Sequence, residues 1–156
     1  MPGGYLLPLM KRLFLVAALV SLVGSLSMLT LHAQQPQAGT IEVTIEGPKV
    51  KKGQLMASIY NSEANFMKQP YRTVTLPVEP GKDLVLAFNN IPTGTYALAV
   101  FHDENNNNEL DTNWMGIPRE GYGFSNNVRP TFRPANFEES QFTHTGQTMS
   151  LTVKVH

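Results

Sequence analysis

Short runs in which apolar and polar residues alternate recur along most of the chain. Successive side chains of a β-strand point to opposite faces, so this period of two predicts strands with one buried face. Each run is bounded by Gly, Pro or Asn, as is typical of antiparallel strands joined by turns. The apolar positions of the six runs are Ile41/Val43/Ile45, Leu55/Ala57/Ile59, Val74/Leu76/Val78, Leu84/Leu86/Phe88, Tyr96/Leu98/Val100 and Met149/Leu151/Val153/Val155.

The pattern predicts an all-β fold, a single antiparallel β-sandwich of about seven strands with an immunoglobulin-like or transthyretin-like arrangement. We expect the seventh strand within residues 114–143 and no helix after the N-terminal segment. From the strand parity we expect twelve side chains in the core: Ile41, Val43, Leu55, Ile59, Leu76, Leu86, Phe88, Tyr96, Leu98, Val100, Leu151 and Val153.

One turn within this pattern has a recognisable chemistry. Pro92 presets φ and Gly94 tolerates a left-handed conformation, so the two residues predict a tight turn before the fifth run. Tyr96 then begins a strand with its ring facing inward. We expect its hydroxyl to reach back to a loop carbonyl, as in a tyrosine corner.

The first 33 residues differ from the rest. Lys11 and Arg12 precede an apolar run at residues 13–31, and Ala33 offers a small residue for cleavage, as in a signal peptide. Because the run approaches the length that spans a bilayer, an uncleaved N-terminal anchor is the alternative. In both cases we expect residues 34–39 to be a linker and residues 40–156 to be an exported domain, which is periplasmic, extracellular or attached to the cell envelope.

Composition excludes several classes of function. The chain has no Cys, which excludes disulfides, thiol catalysis and zinc–thiolate sites. Without Lys11 and Arg12 it carries ten basic and twelve acidic residues, a net charge of −2. It has no basic block interleaved with aromatic residues, so we expect no nucleic-acid partner. We also expect no membrane contact beyond an N-terminal anchor, because no later segment has spanning length.

Oxygen-bearing side chains occupy alternate positions in the stretch 103–111. Calcium takes six to eight oxygen ligands, and calcium loops supply side-chain oxygens at their first, third, fifth and ninth positions and a carbonyl at the seventh. Asn108 falls where such loops turn sharply, and Asn is the residue after Gly that best tolerates a left-handed backbone. The spacing predicts a calcium site made by the side chains of Asp103, Asn105, Asn107 and Asp111 and the carbonyl of Glu109.

The twelfth position of this loop departs from the pattern. It holds Trp114, where calcium loops carry a bidentate Glu. Glu120 is the nearest downstream carboxylate and is our candidate for the missing ligand. The alternative is a turn without metal, because Asn readily hydrogen-bonds its own backbone.

His102 stands at the exit of the fifth run, on the inward side. A neutral His that hydrogen-bonds to loop backbone is the simplest interpretation. The alternative is an enzyme, in which His102, Asp103 and Glu120 bind metal or act as acid/base groups. Such an enzyme needs a concave pocket where these side chains meet, whereas a binding module needs only a rigid loop and an exposed face.

Three aromatic residues follow the acidic stretch. Trp114, Tyr122 and Phe124 lie in a region punctuated by Gly, and together they would form an exposed platform for stacking a sugar or a peptide. The alternative is a satellite core beneath a long loop. We favour the satellite core, because long ordered loops need apolar anchors of their own.

The central motifs resemble a known bacterial family. The segments HDENNNNELDTN at residues 102–113 and GIPREGYGFSNN at residues 116–127 are similar to the exported domain of unknown function 2141, with the pattern HDxNxNxxLDTN followed by GxPxEGYGFSN. The resemblance covers nearly all of residues 40–156. The resemblance implies that the domain is exported, and it indicates no particular activity. Asn106 and Asn108 stand where Gly is common in related loops.

Together these observations lead to one functional expectation. We expect an exported, non-enzymatic β-sandwich that acts as a binding or accessory module for an envelope or extracellular ligand. Its acidic loop is a candidate calcium site, and a turn without metal is the alternative.

Overall fold

Eight β-strands account for most of the described chain, and their bounds follow the alternating runs. The structure is a computed structural model that describes residues 37–47, 52–131 and 133–156. In chain order the strands are β1 Ala38–Glu46, β2 Gln54–Tyr60, β3 Arg72–Pro77, β4 Val85–Pro92, β5 Gly94–Asp103, β6 Tyr122–Phe124, β7 Gln141–His144 and β8 Met149–Lys154. β1 includes Ala38 and Gly39, which we had assigned to the linker.

The strands form two sheets, and the all-β sandwich predicted from the pattern is confirmed. One sheet has the order β4-β1-β8, and the other has the order β3-β2-β5-β6, with β7 also pairing with β5. All pairings of the strands are antiparallel except that of β1 with β8, where Ile41 lies opposite Met149. The prediction differs at this pair because alternation indicates which face of a strand is buried, and not its direction relative to a neighbour.

The main core lies between the sheets and uses the apolar positions of the runs. Ten of the twelve side chains that we expected in the core are buried. Leu76 and Leu151 are partly buried and pack against the same cluster. Each buried aliphatic or aromatic side chain stabilises the fold by about 1.5–3 kcal/mol, so this cluster provides the main apolar stabilisation.

The predicted tyrosine corner is present at the start of β5. The Tyr96 hydroxyl donates a hydrogen bond to the Pro92 carbonyl at 3.1 Å. The Tyr96 ring is buried and lies 5.7 Å from that of Tyr71 and 6.5 Å from that of Phe142, measured between ring centroids. The corner therefore fixes the entry of β5, the strand that leads into the candidate site.

The interval from 114 to 143, where we expected one seventh strand, contains β6 and most of β7. Between these two strands lie a 3-10 turn, Ser125–Asn127, and a short helix, α1, Phe137–Ser140. Helix α1 was not predicted, although it begins with a capping box. Asn136 Oδ1 accepts from the Glu139 N–H at 2.8 Å, and a Glu139 carboxylate oxygen accepts from the Asn136 N–H at 3.1 Å.

The connection between β6 and β7 contributes to a second apolar cluster. Ala97 and Ala99 of β5 face away from the main core, because successive side chains alternate. They pack in this cluster with Phe124, Ala135 and Phe137. The five-stranded sheet is therefore covered by apolar side chains on both faces at the middle of β5.

Residues 1–36 lie outside the described part of the chain, so the targeting segment at residues 1–33 stays a prediction. Within the described residues no helix is long and apolar enough to cross a membrane. Gln35–His156 forms one compact unit, and both apolar clusters consist of residues from it. We therefore expect residues 35–156 to fold without the segment that precedes them.

The two ends of β5 mark the two ends of the sandwich. The strand has ten residues, so its ends lie about 30 Å apart. Next to its first residue, the Thr93 N–H donates to the Gln37 carbonyl at 3.0 Å, and the described chain therefore enters at this end. At the opposite end β5 leads directly into residues 103–121, which hold most of the predicted site residues.

Candidate functional site

Asp103, the last residue of β5, organises the start of the loop. Its side chain is fully buried. Oδ1 accepts a hydrogen bond from the Asn107 N–H at 3.1 Å, and Oδ2 accepts from the Asn108 N–H at 2.9 Å and from Gln54 Nε2 at 2.8 Å. A buried carboxylate is costly unless it is hydrogen-bonded, and these three donors satisfy it. The loop therefore turns around the Asp103 side chain.

Two opposing effects act on the pKa of Asp103. Burial raises the pKa, because it disfavours the charged carboxylate. The hydrogen bonds from Gln54 and from the backbone N–H groups of Asn108, Asn107 and Asn106 lower it, because they favour the charged form. Together the hydrogen bonds outweigh burial, so the pKa lies below its ordinary value and Asp103 is ionised at neutral pH.

The Asn residues that follow form a turn stabilised by their own side chains. Asn105 Oδ1 accepts from the Asn107 N–H at 3.0 Å, and Asn107 Oδ1 accepts from the Glu109 N–H at 2.8 Å. The backbone φ is 61° at Asn106 and 65° at Asn108. Both values lie in the left-handed region, where Asn is better tolerated than most residues other than Gly. The left-handed turn predicted at Asn108 is confirmed.

The side chains of Asn105 and Asn107 also contact the carboxylate of Asp111. Asn105 Nδ2 donates to Asp111 Oδ2 at 2.8 Å, and Asn107 Nδ2 donates to Asp111 Oδ1 at 3.1 Å. Three of the predicted side-chain ligands are thereby brought together. The Glu109 side chain is exposed, and no hydrogen bond from it is found within the described residues. Both carboxylate oxygens of Asp111 therefore accept hydrogen bonds from side-chain amides of the same turn.

Glu120 connects the two ends of the acidic loop. Its side chain is buried, Oε1 accepts from the Glu104 N–H at 2.8 Å, and Oε2 accepts from the Asp111 N–H at 2.9 Å. Glu120 therefore lies beside the loop, as expected for the missing ligand, and it uses both oxygens to hold backbone amides. Sequence reasoning proposed its proximity and missed this role.

His102 is buried at the end of β5, as its parity predicts. Its Nε2 lies 2.8 Å from the Lys52 carbonyl and donates to it in the neutral tautomer that carries hydrogen there. Its Nδ1 lies 3.8 Å from a carboxylate oxygen of Glu104. The contact with Lys52 is the interaction with loop backbone that we considered simplest.

The described residues show no metal cluster around these side chains, and an apolar depression lies elsewhere. Among them, no group of three or more His, Asp or Glu side chains is arranged to hold a metal ion. An apolar depression of about 510 Å³ is lined by Phe66, Pro134, Ala135 and Phe137, among others. Its lining does not include His102, Asp103 or Glu120.

The structure separates the three aromatic residues of the predicted platform. Tyr122 and Phe124 pack in the second apolar cluster, with 5.9 Å between their ring centroids. Trp114 is 91% exposed and, within the described residues, pairs with neither ring. Tyr122 and Phe124 lie in a satellite core, as in the interpretation that we favoured, while Trp114 stands alone.

The residues Ser125, Asn126 and Asn127 hold several elements together, a role that sequence reasoning missed. Ser125 Oγ accepts from the Leu98 N–H at 2.9 Å and donates to the Ser140 carbonyl. Asn126 Nδ2 donates to two carbonyls around α1, and Asn127 accepts from the Lys154 N–H at 2.7 Å. The pair Asn126-Asn127 was the available signal in the sequence, because Asn tolerates a left-handed backbone better than most residues. In the structure φ is 61° at Asn126 and 53° at Asn127.

The fold and the site define a class: a small β-sandwich protein with an Asn-rich loop at one end, held by hydrogen bonds to buried carboxylates. The chain belongs to the family described as an uncharacterized protein conserved in bacteria, DUF2141, whose model matches residues 43–152. The resemblance seen in the central motifs is thereby confirmed. A search of curated proteins and a search of solved structures each found no significant match.

Proposed function

We propose that this protein is an exported binding or accessory module and that its loop at residues 103–111 holds a calcium ion. The observation that carries the calcium proposal is the meeting of Asn105 and Asn107 with both carboxylate oxygens of Asp111. These are the third, fifth and ninth positions of a calcium loop. The left-handed backbone at Asn108, the sixth position, gives further support.

The hydrogen bonds in the loop leave capacity for a cation. A carboxylate has about four lone-pair sites, so Asp103 and Glu120 can accept backbone hydrogen bonds and still ligate calcium. At Asp111 the ion would replace the two amide donors. Calcium binding would therefore need rotation of the Asn105 and Asn107 amides, while the backbone turn around Asp103 is kept.

Calcium is expected to raise the melting temperature of residues 35–156. A ligand that binds only the folded state stabilises it by about 2.7 kcal/mol at a hundredfold excess over its dissociation constant. Few carboxylates surround the ion, so we expect a dissociation constant of roughly 10⁻⁴–10⁻³ M, and a weaker effect of magnesium. The melting curve, followed by circular dichroism in millimolar calcium and in chelator, measures the shift.

Two variants make this experiment specific. Asp111→Asn keeps the size of the side chain and removes a charged ligand, so it should abolish the calcium-dependent shift. Glu42→Ala lies on β1, away from the loop, and should leave the shift unchanged. Identical wild-type melting curves in calcium and in chelator would mean that the loop is a hydrogen-bonded turn and would end the calcium proposal.

Export is expected to yield a mature protein that begins near Gln34. Lys11, Arg12, the apolar run at residues 13–31 and Ala33 support this proposal. N-terminal sequencing of protein from the periplasm or the medium of the native host measures the cleavage point. Intact Met1 on protein in the membrane fraction would favour the uncleaved anchor, and intact Met1 on cytosolic protein would contradict export.

No observation on the described residues favours the alternative of an acid/base or metal-dependent enzyme. His102, Asp103 and Glu120 each form hydrogen bonds with nearby backbone. The apolar depression does not include them. A binding module needs a rigid exposed loop and no such pocket, so it is the function that this geometry supports best.

A further inference from the structure

A short segment between the acidic loop and β6 exposes three large apolar side chains. Trp114 is 91% exposed, Met115 60% and Ile117 52%. We call these three residues the apolar tip. Singly exposed apolar residues are common on protein surfaces, whereas a contiguous apolar patch marks an interaction site. The apolar tip places three such side chains within four consecutive residues.

The segment that carries the apolar tip is closed at its base. Thr112 and Pro118 form an isolated β-bridge. Next to this bridge, the Arg119 N–H donates to the Asp111 carbonyl at 2.8 Å. The Asp111 N–H in turn donates to Glu120 Oε2. The apolar tip therefore lies on a small hairpin whose base is hydrogen-bonded to the loop at residues 103–111.

Most backbone N–H groups of the hairpin are hydrogen-bonded within it. The Asn113 N–H donates to the Ile117 carbonyl at 2.8 Å, and the Gly116 N–H donates to the Asn113 carbonyl at 2.9 Å. Asn113 Oδ1 accepts from the N–H groups of Met115 at 2.9 Å and Ile117 at 3.0 Å. Among the N–H groups of residues 113–117, only that of Trp114 has no partner within the described part of the chain. The carbonyls of Trp114, Met115 and Gly116 also have none there.

We propose that the apolar tip docks into the interfacial region of a lipid bilayer. This replaces our expectation of no membrane contact beyond an N-terminal anchor, which considered only segments long enough to span a bilayer. Backbone groups in the bilayer core must be satisfied internally, because no water reaches them there. The interfacial region is hydrated, so the carbonyls that this hairpin leaves without a partner do not oppose docking at that depth. Trp favours the boundary between acyl chains and headgroups, because its ring is apolar and its N–H still finds a partner there. Met115 and Ile117 supply apolar surface beside it.

Arg119 gives the hairpin a group that suits lipid phosphate. It is exposed, and no ion pair joins it to an acidic side chain within the described residues. A guanidinium binds phosphate oxygens through two parallel hydrogen bonds. With the apolar tip in the interface, Arg119 would lie at the level of the headgroups.

A bilayer suits the size and shape of the apolar tip better than a protein partner does. Stable protein interfaces bury about 800 Å² on each partner, with roughly 20–30 residues a side, far more than three side chains provide. Small ligands bind in concave pockets, whereas the apolar tip is exposed and the apolar depression is lined by other residues. A bilayer needs no complementary pocket, only a protruding apolar group.

This inference names a ligand for the proposed binding module and so rests on that proposal, but it does not require calcium. The exposed carboxylates of Glu104 and Glu109 near the base of the hairpin repel anionic headgroups. Calcium in the loop would weaken that repulsion. Docking to neutral lipid is therefore expected with or without calcium, and docking to anionic lipid is expected to be stronger with calcium.

The only Trp of the chain lies in the apolar tip, so its fluorescence reports docking directly. Residues 35–156 are titrated with vesicles of phosphatidylcholine alone and with vesicles of equal parts phosphatidylcholine and phosphatidylglycerol, each in chelator and in calcium. We expect a blue shift of the emission together with co-sedimentation. Ile117→Ser and Met115→Ser should each lower the partition coefficient roughly tenfold.

Matched variants separate docking from general effects. Val85→Ser removes a β-branched side chain of similar exposure, 42%, on β4, and should leave partitioning unchanged. Arg119→Glu should weaken binding to the anionic vesicles more than Arg129→Glu, which reverses an exposed charge beyond β6. Circular dichroism of each variant checks that the fold is intact.

The outcomes distinguish this inference from the calcium proposal. A blue shift in chelator without any calcium-dependent melting shift supports docking and contradicts calcium binding. A calcium-dependent melting shift without a blue shift or co-sedimentation on either vesicle supports calcium binding and overturns docking. A loss of partitioning in Val85→Ser as large as that in Ile117→Ser would also overturn it. If Trp114 instead shifts only on addition of a soluble protein, docking to lipid is contradicted.

Discussion

Replacing Leu98 by Ala is expected to lower the free energy of unfolding by about 2–5 kcal/mol, the usual range for truncating a buried Leu. Leu98 is fully buried at the middle of β5, opposite Ile59 of β2. Side chains from both sheets surround it, so the space left by truncation cannot be filled without moving strands. Urea unfolding followed by circular dichroism measures the change.

The matched control for this substitution is Val85→Ala. Val85 lies on β4 with its side chain 42% exposed, and a truncation there is expected to change the stability by no more than about 0.5 kcal/mol. An unchanged urea midpoint in Leu98→Ala would contradict the burial of the Leu98 side chain between the two sheets.

Replacing Asp103 by Ala is expected to cost about 2–4 kcal/mol, because three hydrogen bonds to its charged carboxylate are lost at once. A hydrogen bond to a charged group contributes about 1.5–3 kcal/mol, and neighbouring losses do not add fully. The donors are the N–H groups of Asn107 and Asn108 and the side chain of Gln54. Asp83→Ala, in the exposed loop before β4, is the control and should be nearly neutral.

The same carboxylate should make stability depend on pH in acid. Its pKa is lower in the folded protein than in the unfolded chain, so Asp103 stabilises the fold above the unfolded pKa of about 3.9. That contribution is lost as the pH falls through the folded pKa. Glu139 behaves similarly: its hydrogen bonds with Arg133 and then with the Asn136 N–H lower its pKa to about 2.

Comparing wild type with Asp103→Asn isolates the contribution of Asp103, because Glu139 is present in both. The urea midpoint of the wild type should fall more steeply between about pH 5 and pH 2 than that of the variant. Parallel curves would show that the hydrogen bonds to Asp103 do not favour its charged form.

The strands and the core could be predicted from the sequence because their signal is local. Alternation identified six of the eight strands, and Tyr96 could be assigned to a corner from the turn that precedes it. β6 has three residues and β7 has four, too few for a period of two to be recognised. The parallel pairing of β1 with β8 joins strands from opposite ends of the described chain, and no local pattern encodes it.

The sequence indicates which residues belong to the candidate site, but it does not indicate which hydrogen bonds each of them forms. The spacing of Asp103, Asn105, Asn107 and Asp111 predicted a turn whose side chains come together, as three of them do. The role of Glu120 depends on two backbone N–H groups, one sixteen residues and the other nine residues away, which spacing does not indicate. The exposure of Trp114 depends on the hairpin around Asn113, whereas an aromatic residue between Gly-rich turns is equally consistent with a buried anchor.

The side chain of Asn127 has a consequence for self-association. Its amide accepts from the Lys154 N–H and donates to the Thr152 carbonyl, so it occupies polar groups of β8 in the way that a neighbouring strand would. Tyr122 pairs with His156 just beyond the end of the strand, through hydrogen bonds of 3.3 and 3.1 Å. An uncovered outer strand offers a template for pairing with another chain and leads to aggregation. The Asn127 amide thus occupies one N–H and one carbonyl on the outer edge of β8 that would otherwise be open to pairing with another chain.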